Sequence, residues 1–155
     1  MTLTEHQQQL ATHLWAIVHF IEAHKGKCMP WAKNNDRTLL FRFVADCFYF
    51  GKLNIAYKSD AIEAIVFAWP DFKERIEAKD AEGQPQFEWG QPHKGDALFI
   101  ADVFGSRSAV AKLYRSVIEK YPNLMGVPWF TYRRETLIEI SRRELERFAR
   151  KATHE

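Results

Sequence analysis

At 155 residues the chain is sized for a single domain, residues 1–155, long enough to bury a real core. Its net charge of +2 leaves no electrostatic footprint for nucleic acid, and no apolar run approaches the ~20 residues of a membrane span. The two cysteines, Cys28 and Cys47, form neither a CxxC pair nor a disulfide framework; with an N-terminus rich in Glu, Gln and His that does not read as a signal peptide, they suit free, buried thiols in a reducing cytoplasm.

Thr4 to Ala23 carries Leu10, Leu14, Ile17, Val18 and Ile21 at helical spacing, which predicts an amphipathic helix. Gly26 to Asn35 reads as a connection. Asp36 is placed to cap a second helix, Arg37 to Phe50, closed by Gly51, although LLFRFVADCFYF is aromatic enough to pass as a strand. Leu53 to Tyr57 and Ile62 to Trp69 read as a hairpin turning at Lys58-Ser59-Asp60, with Pro70 ending the second strand because it cannot donate to a ladder. A short helix over Phe72 to Ala78 follows. Lys79 to His93, with two prolines and two glycines, reads as a loop placed to act as a lid.

Asp96 to Phe104 is apolar and long enough for a buried central strand. Gly105-Ser106-Arg107-Ser108 is small and polar, and Val110, Leu113, Tyr114, Val117 and Tyr121 then recur at helical spacing from Ala109 onward. Val127 to Arg134 and Leu137 to Ile140 read as a second hairpin, and Ser141 with Glu144 forms a capping box for a terminal helix. The order is helix, helix, strand, strand, loop, strand, helix, strand, strand, helix. Hairpins joined by one strand–helix–strand crossover predict an α+β, three-layer domain: a mixed, mostly antiparallel sheet flanked by helices.

The strand–loop–helix from Gly95 to Pro122 carries the functional expectation. It aims backbone N–H groups, the positive end of a helix dipole and Arg107 at one point, which suits a phosphate or other anion. Gly105, Ser106, Arg107, Ser108 and Ala109 are the candidate binding residues, with simple capping as the bland alternative for the serines and solvation for Arg107. Asp102, among apolar neighbours near the end of the strand, is the candidate base for an amine, on a face shared with Ile100 and Phe104 if the strand alternates regularly. Pairing to a nearby arginine or turning to solvent is its ordinary alternative. Tyr132, in the strand after the central helix, is the second catalytic candidate.

No metal site is expected. His6 and His13 stand two turns apart, roughly 10 Å along a helix, and with His24 they read as helix-boundary residues. His93 reads as an exposed loop histidine with a catalytic alternative. Interleaved Arg and Glu from Arg133 to Lys151 read as a solvated, ion-paired face. A weak site for nucleic acid or an acidic carrier protein is the sharper alternative.

This element order, over roughly Thr4 to Ile140, resembles the GNAT N-acetyltransferase superfamily. Its fourth strand runs into a loop and helix that hold the pyrophosphate of coenzyme A. The family loop reads Arg/Gln-x-x-Gly-x-Gly/Ala; Phe104 to Ala109 keeps one glycine and the final alanine and lacks the leading Arg/Gln. Gly95-Asp96, Phe104-Gly105, Tyr121-Pro122 and the strand ending at Trp69 also resemble the toxin-activating lysine acyltransferases, which use acyl carrier protein as donor. That branch's His and Asp have no aligned counterpart here, so the likeness carries the fold.

The resemblance implies transfer of an acyl group from acyl-CoA or acyl carrier protein to an amine, on a protein lysine or a small molecule. It also implies family-like edge exposure, hence a homodimer contact through Trp129, Phe130 and Tyr132. The alternative is a non-catalytic binding module or subunit of the same fold.

Overall fold

Every residue from Ala64 to Trp69 is buried, and that dictates the architecture. Neighbouring side chains on a strand point to opposite faces, so a strand buried at every position must be covered on both. Ile65, Phe67 and Trp69 lie in one hydrophobic cluster, and Ala64, Val66 and Ala68 in another on the far side of the sheet. The protein is seen here as a computed structural model, which describes residues 3–24, 36–81, 89–91, 94–124, 126–133, 136–141 and 143–147.

Helices α1 (Leu3–Ala23) and α2 (Arg37–Tyr49) precede the hairpin β1 (Leu53–Lys58) and β2 (Ala61–Asp71). Helix α3 (Lys73–Ala81), strand β3 (Ala97–Gly105) and helix α4 (Arg107–Lys120) follow. A 3-10 turn at Pro122–Leu124 then leads to the hairpin β4 (Trp129–Arg133) and β5 (Thr136–Ile140). The sheet order is β1-β2-β3-β4-β5. Every neighbouring pair is antiparallel except β3 and β4, which run parallel and are joined through α4. The fold is therefore α+β, a mixed and mostly antiparallel sheet flanked by helices.

The first layer is α1 and α2. Leu14, Ile17, Val18 and Ile21 of α1 meet Leu40, Phe43, Val44 and Cys47 of α2 over the sheet. The spacing of the α2 set is helical, and Asp36 accepts the Leu39 amide at 3.0 Å as its cap, which settles the helix-or-strand ambiguity of this segment. Burial pushes the Cys47 thiol far up, so it behaves as a small core hydrophobe. Cys28 and the connection around it lie outside the described residues. On the other face Val110, Leu113, Tyr114 and Val117 of α4 cover Ala64, Val66, Leu98, Ile100 and Trp129.

Three expectations are corrected. Strand β2 runs through Pro70 to Asp71. The Ala68 amide donates to Lys52 on the β1 side, so the Pro70 nitrogen, two residues on, faces the same side. There β1 has already ended, and no ladder bond is lost. Helix α3 extends to Ala81, three residues into the expected loop; of the rest of that loop, where a lid is expected, residues 89–91 are described, and His93 lies outside the described residues. Strand β4 is internal to the sheet, with Trp129 and Phe130 buried, so these rings do not form the exposed edge expected of them.

The Gly95-Asp96 pair has a direct physical role. A Cβ on Gly95 would stand 1.9 Å from the Asp71 carbonyl oxygen, so only glycine lets the chain cross the end of β2 this closely. Asp96 then accepts the Lys73 amide at 2.9 Å and caps α3. Asp96→Ala should cost about 1 kcal/mol of stability in urea unfolding, and Asp96→Asn only a fraction of that, because asparagine retains the capping oxygen.

Candidate functional site where the parallel strands part

The parallel ladder pairs Leu98 with Trp129, Phe99 with Phe130 and Ile100 with Thr131, and among the described residues it ends there. At that last rung the Thr131 hydroxyl donates to the Ile100 carbonyl at 3.0 Å. The register against β2 slips at the next residue: Phe67 faces Asp102 and Ala68 faces Ile100, so Ala101 is a bulge. A bulge bends and twists its strand. Strand β3 goes on to Gly105 beside β2 while β4 goes on to Arg133, and the two part from the bulge onward.

The parting leads to the N-terminus of α4. Gly105 has φ +123°, and a Cβ there would stand 2.4 Å from the Glu63 carbonyl oxygen. Glycine is required on both counts. Ser106 is the cap; its hydroxyl accepts the Ala109 amide at 3.3 Å. The capping and binding readings of this loop thus divide by residue. The Ala109 amide is used inside the helix end, whereas the Arg107 and Ser108 amides belong to the first turn, which has no carbonyl to pair with. Ser106, Arg107 and Ser108 are exposed, and Arg107 makes no ion pair among the described residues.

Asp102 sits at the mouth of the parting, buried, with Oδ1 accepting the Val103 amide at 2.8 Å. The bulge divides its expected neighbours: Ile100 packs under α4, whereas Asp102 stands opposite Phe67 and shares the α1–α2 face with Phe104. The charge of Asp102 is felt by Tyr114 of α4. Burial, chiefly, pushes the Tyr114 phenol up to about 12; Arg133 lowers it, while Glu144 and Asp102 raise it. Arg133 in turn donates twice to Glu144, at 3.4 and 3.0 Å. Glu144 stands where Ser141 accepts its amide at 3.1 Å, the expected cap of a helical segment that includes 143–147. Tyr114 and the Arg133–Glu144 pair therefore form one electrostatic cluster on the α4 side, and Asp102, opposite Phe67 in the ladder, adds its charge from the α1–α2 face.

Tyr132 packs against the α1–α2 cluster, the face that Asp102 shares. Its hydroxyl donates to Asp80 of α3 at 2.8 Å, and its ring stands edge-on to Phe99. Tyr114 is not among the candidate residues, and its sequence signal is slight: a phenol in a helical stripe that also carries Tyr121. Compared with protein-family models, curated proteins and solved structures, the chain finds no match.

Two outcomes test this geometry. Gly105→Ala should cost about 2–4 kcal/mol, combining a positive φ with overpacking against β2. The Tyr114 phenol is raised by folding, so its stabilisation is complete below the unfolded value near 10 and is lost as pH rises through about 12. Ultraviolet titration should show one tyrosine ionising late, and Tyr114→Phe should remove that step and flatten the loss of stability between these pH values.

Proposed function

We propose that this protein is an acyltransferase that moves an acyl group from a phosphopantetheine thioester, acyl-CoA or acyl carrier protein, to an amine on a protein lysine or a small molecule. The observation that carries this reading is the parting of β3 and β4 at a bulge, aimed at the N-terminus of α4. An extended chain of amides such as pantetheine finds backbone partners along the free side of β3. The anionic end then meets the Arg107 and Ser108 amides and the Arg107 guanidinium, a donor set suited to phosphate.

In the reaction the amine nitrogen bonds to the acyl carbon, the carbon–sulfur bond breaks, and the sulfur leaves as the thiol. Asp102, beside the bulge where the strands part, takes the proton that the amine sheds. Tyr132, on the same face, has its hydroxyl committed to Asp80. Acyl-CoA and acyl carrier protein are cytoplasmic thioesters, and among the described residues no helix is long and apolar enough to cross a membrane, so a cytoplasmic place of action fits.

A non-catalytic binding role is the second reading. It is favoured by Asp102 Oδ1 being turned back onto the next backbone amide.

Calorimetry with acetyl-CoA, octanoyl-CoA and acyl carrier protein separates the two. Arg107→Ala should weaken donor binding roughly 10- to 150-fold, the worth of one charge-assisted contact, and leave stability nearly unchanged. Equal affinity in the variant would overturn the phosphate assignment. Donor binding with no acyl transfer to any amine would support the binding module.

A further inference from the structure

On the α1–α2 side of the sheet, away from α4, lies an open groove of about 740 Å3. Leu10 and Leu14 of α1, Phe41, Ala45 and Phe48 of α2, and Trp89 from the segment before β3 make its walls. Its size falls within the range of small-molecule sites, and Leu10, Phe48 and Trp89 are each left more than two-fifths exposed around it.

The two charges in the groove differ in kind. Asp46 accepts the Gly90 amide at 3.0 and 3.1 Å through its two oxygens and pairs with the fully buried Lys52 at 3.3 Å, so its charge is already compensated. Arg42 is exposed, stands 5.7 Å over the Trp89 ring, and makes no ion pair among the described residues. The cation–π contact orients the guanidinium at the aromatic wall and leaves its N–H edge for another group. The groove therefore offers apolar walls and one oriented, uncompensated cation.

We infer that this groove binds a small amphipathic carboxylate, its apolar body between α1 and α2 and its carboxylate on Arg42. A cationic ligand would meet Arg42 with no uncompensated acid to offset it, and a neutral one would leave the guanidinium unused. An aliphatic and an aromatic acid share this chemistry, and the test separates them. The inference does not rest on the acyl-transfer reading, because neither Arg107 nor Asp102 lines the groove.

The experiment is calorimetric titration of the full chain with octanoate, 1-naphthoate and the neutral octan-1-ol. At least one acid should bind saturably at one site, and octanol more weakly. Arg42→Gln should weaken the acid roughly tenfold while leaving octanol unchanged. Ala45→Trp, which fills the groove, should remove binding, with circular dichroism checking that the variant folds. Arg107→Ala should leave it intact. Failure of both acids to bind, equal affinity for octanoate and octanol, or acid binding unchanged in Arg42→Gln would each overturn the proposal.

Discussion

The antiparallel pairing of β2 with β3 is the constraint on which the rest depends. Eight rungs run from Ala64–Gly105 to Asp71–Ala97, with one slip at Ala101. Below the slip, β3 alternates in step with β4 and forms the parallel rungs. Above it the phase changes by one residue, and a one-residue change sends each following side chain to the other face. Asp102, opposite Phe67, and Phe104, opposite Ile65, are thereby both delivered to the α1–α2 face, while Val103 packs with the α4 cluster. The parallel ladder ends at the same point, so the parting of the strands and the placing of the carboxylate coincide.

Both ends of this pairing are held by contacts that tolerate little change. At one end Gly105 lies on the backbone of Glu63 and Ala64; at the other Gly95 lies on Asp71. Close backbone approach leaves no room for a Cβ, and the chain's direction into α4 and out of α3 follows from it. The Asp46–Lys52 pair adds a third fixed point. A buried ion pair contributes little net stability once desolvation is counted. Its role here is positional: it holds the turn after α2 and, through Gly90, the segment that leads towards β3. Lys120 ties α4 to the same turn by donating to the Gly51 carbonyl.

The local elements were legible because their patterns are local. The α1 stripe, the Asp36 and Ser141 caps, both hairpins and the strand–loop–helix of β3 and α4 all stand where periodicity and capping residues place them. The strand through Pro70 was not, because proline's cost depends on whether a neighbour stands on its N–H side, and that is fixed by where β1 ends. Nor was the separation of Asp102 from Ile100. Regular alternation puts the two on one face, and nothing in LFIADVFG marks Ala101 as the extra residue. The placing of Tyr132 on the α1–α2 face follows from the register of β4, which is set across the crossover and not by its own five residues.

The two faces of the sheet carry different chemistry for a reason visible in their cover. On the α1–α2 side two helices spread over the strands, and the aromatic excess of α2 outruns what the core can bury, leaving Phe48 and Tyr49 outside it. That surplus makes a groove with apolar walls. On the α4 side a single helix covers the sheet, and its first turn lies beyond the last parallel rung. Polar groups gather at this end of the sheet because the strands no longer satisfy one another: Thr131 must reach across to Ile100, Asp102 turns onto its own backbone, and Arg133 closes on Glu144. A ladder that stops inside a domain leaves backbone groups to be answered by something else. In this protein the hydroxyl of Thr131 and the carboxylate of Asp102 answer two of them.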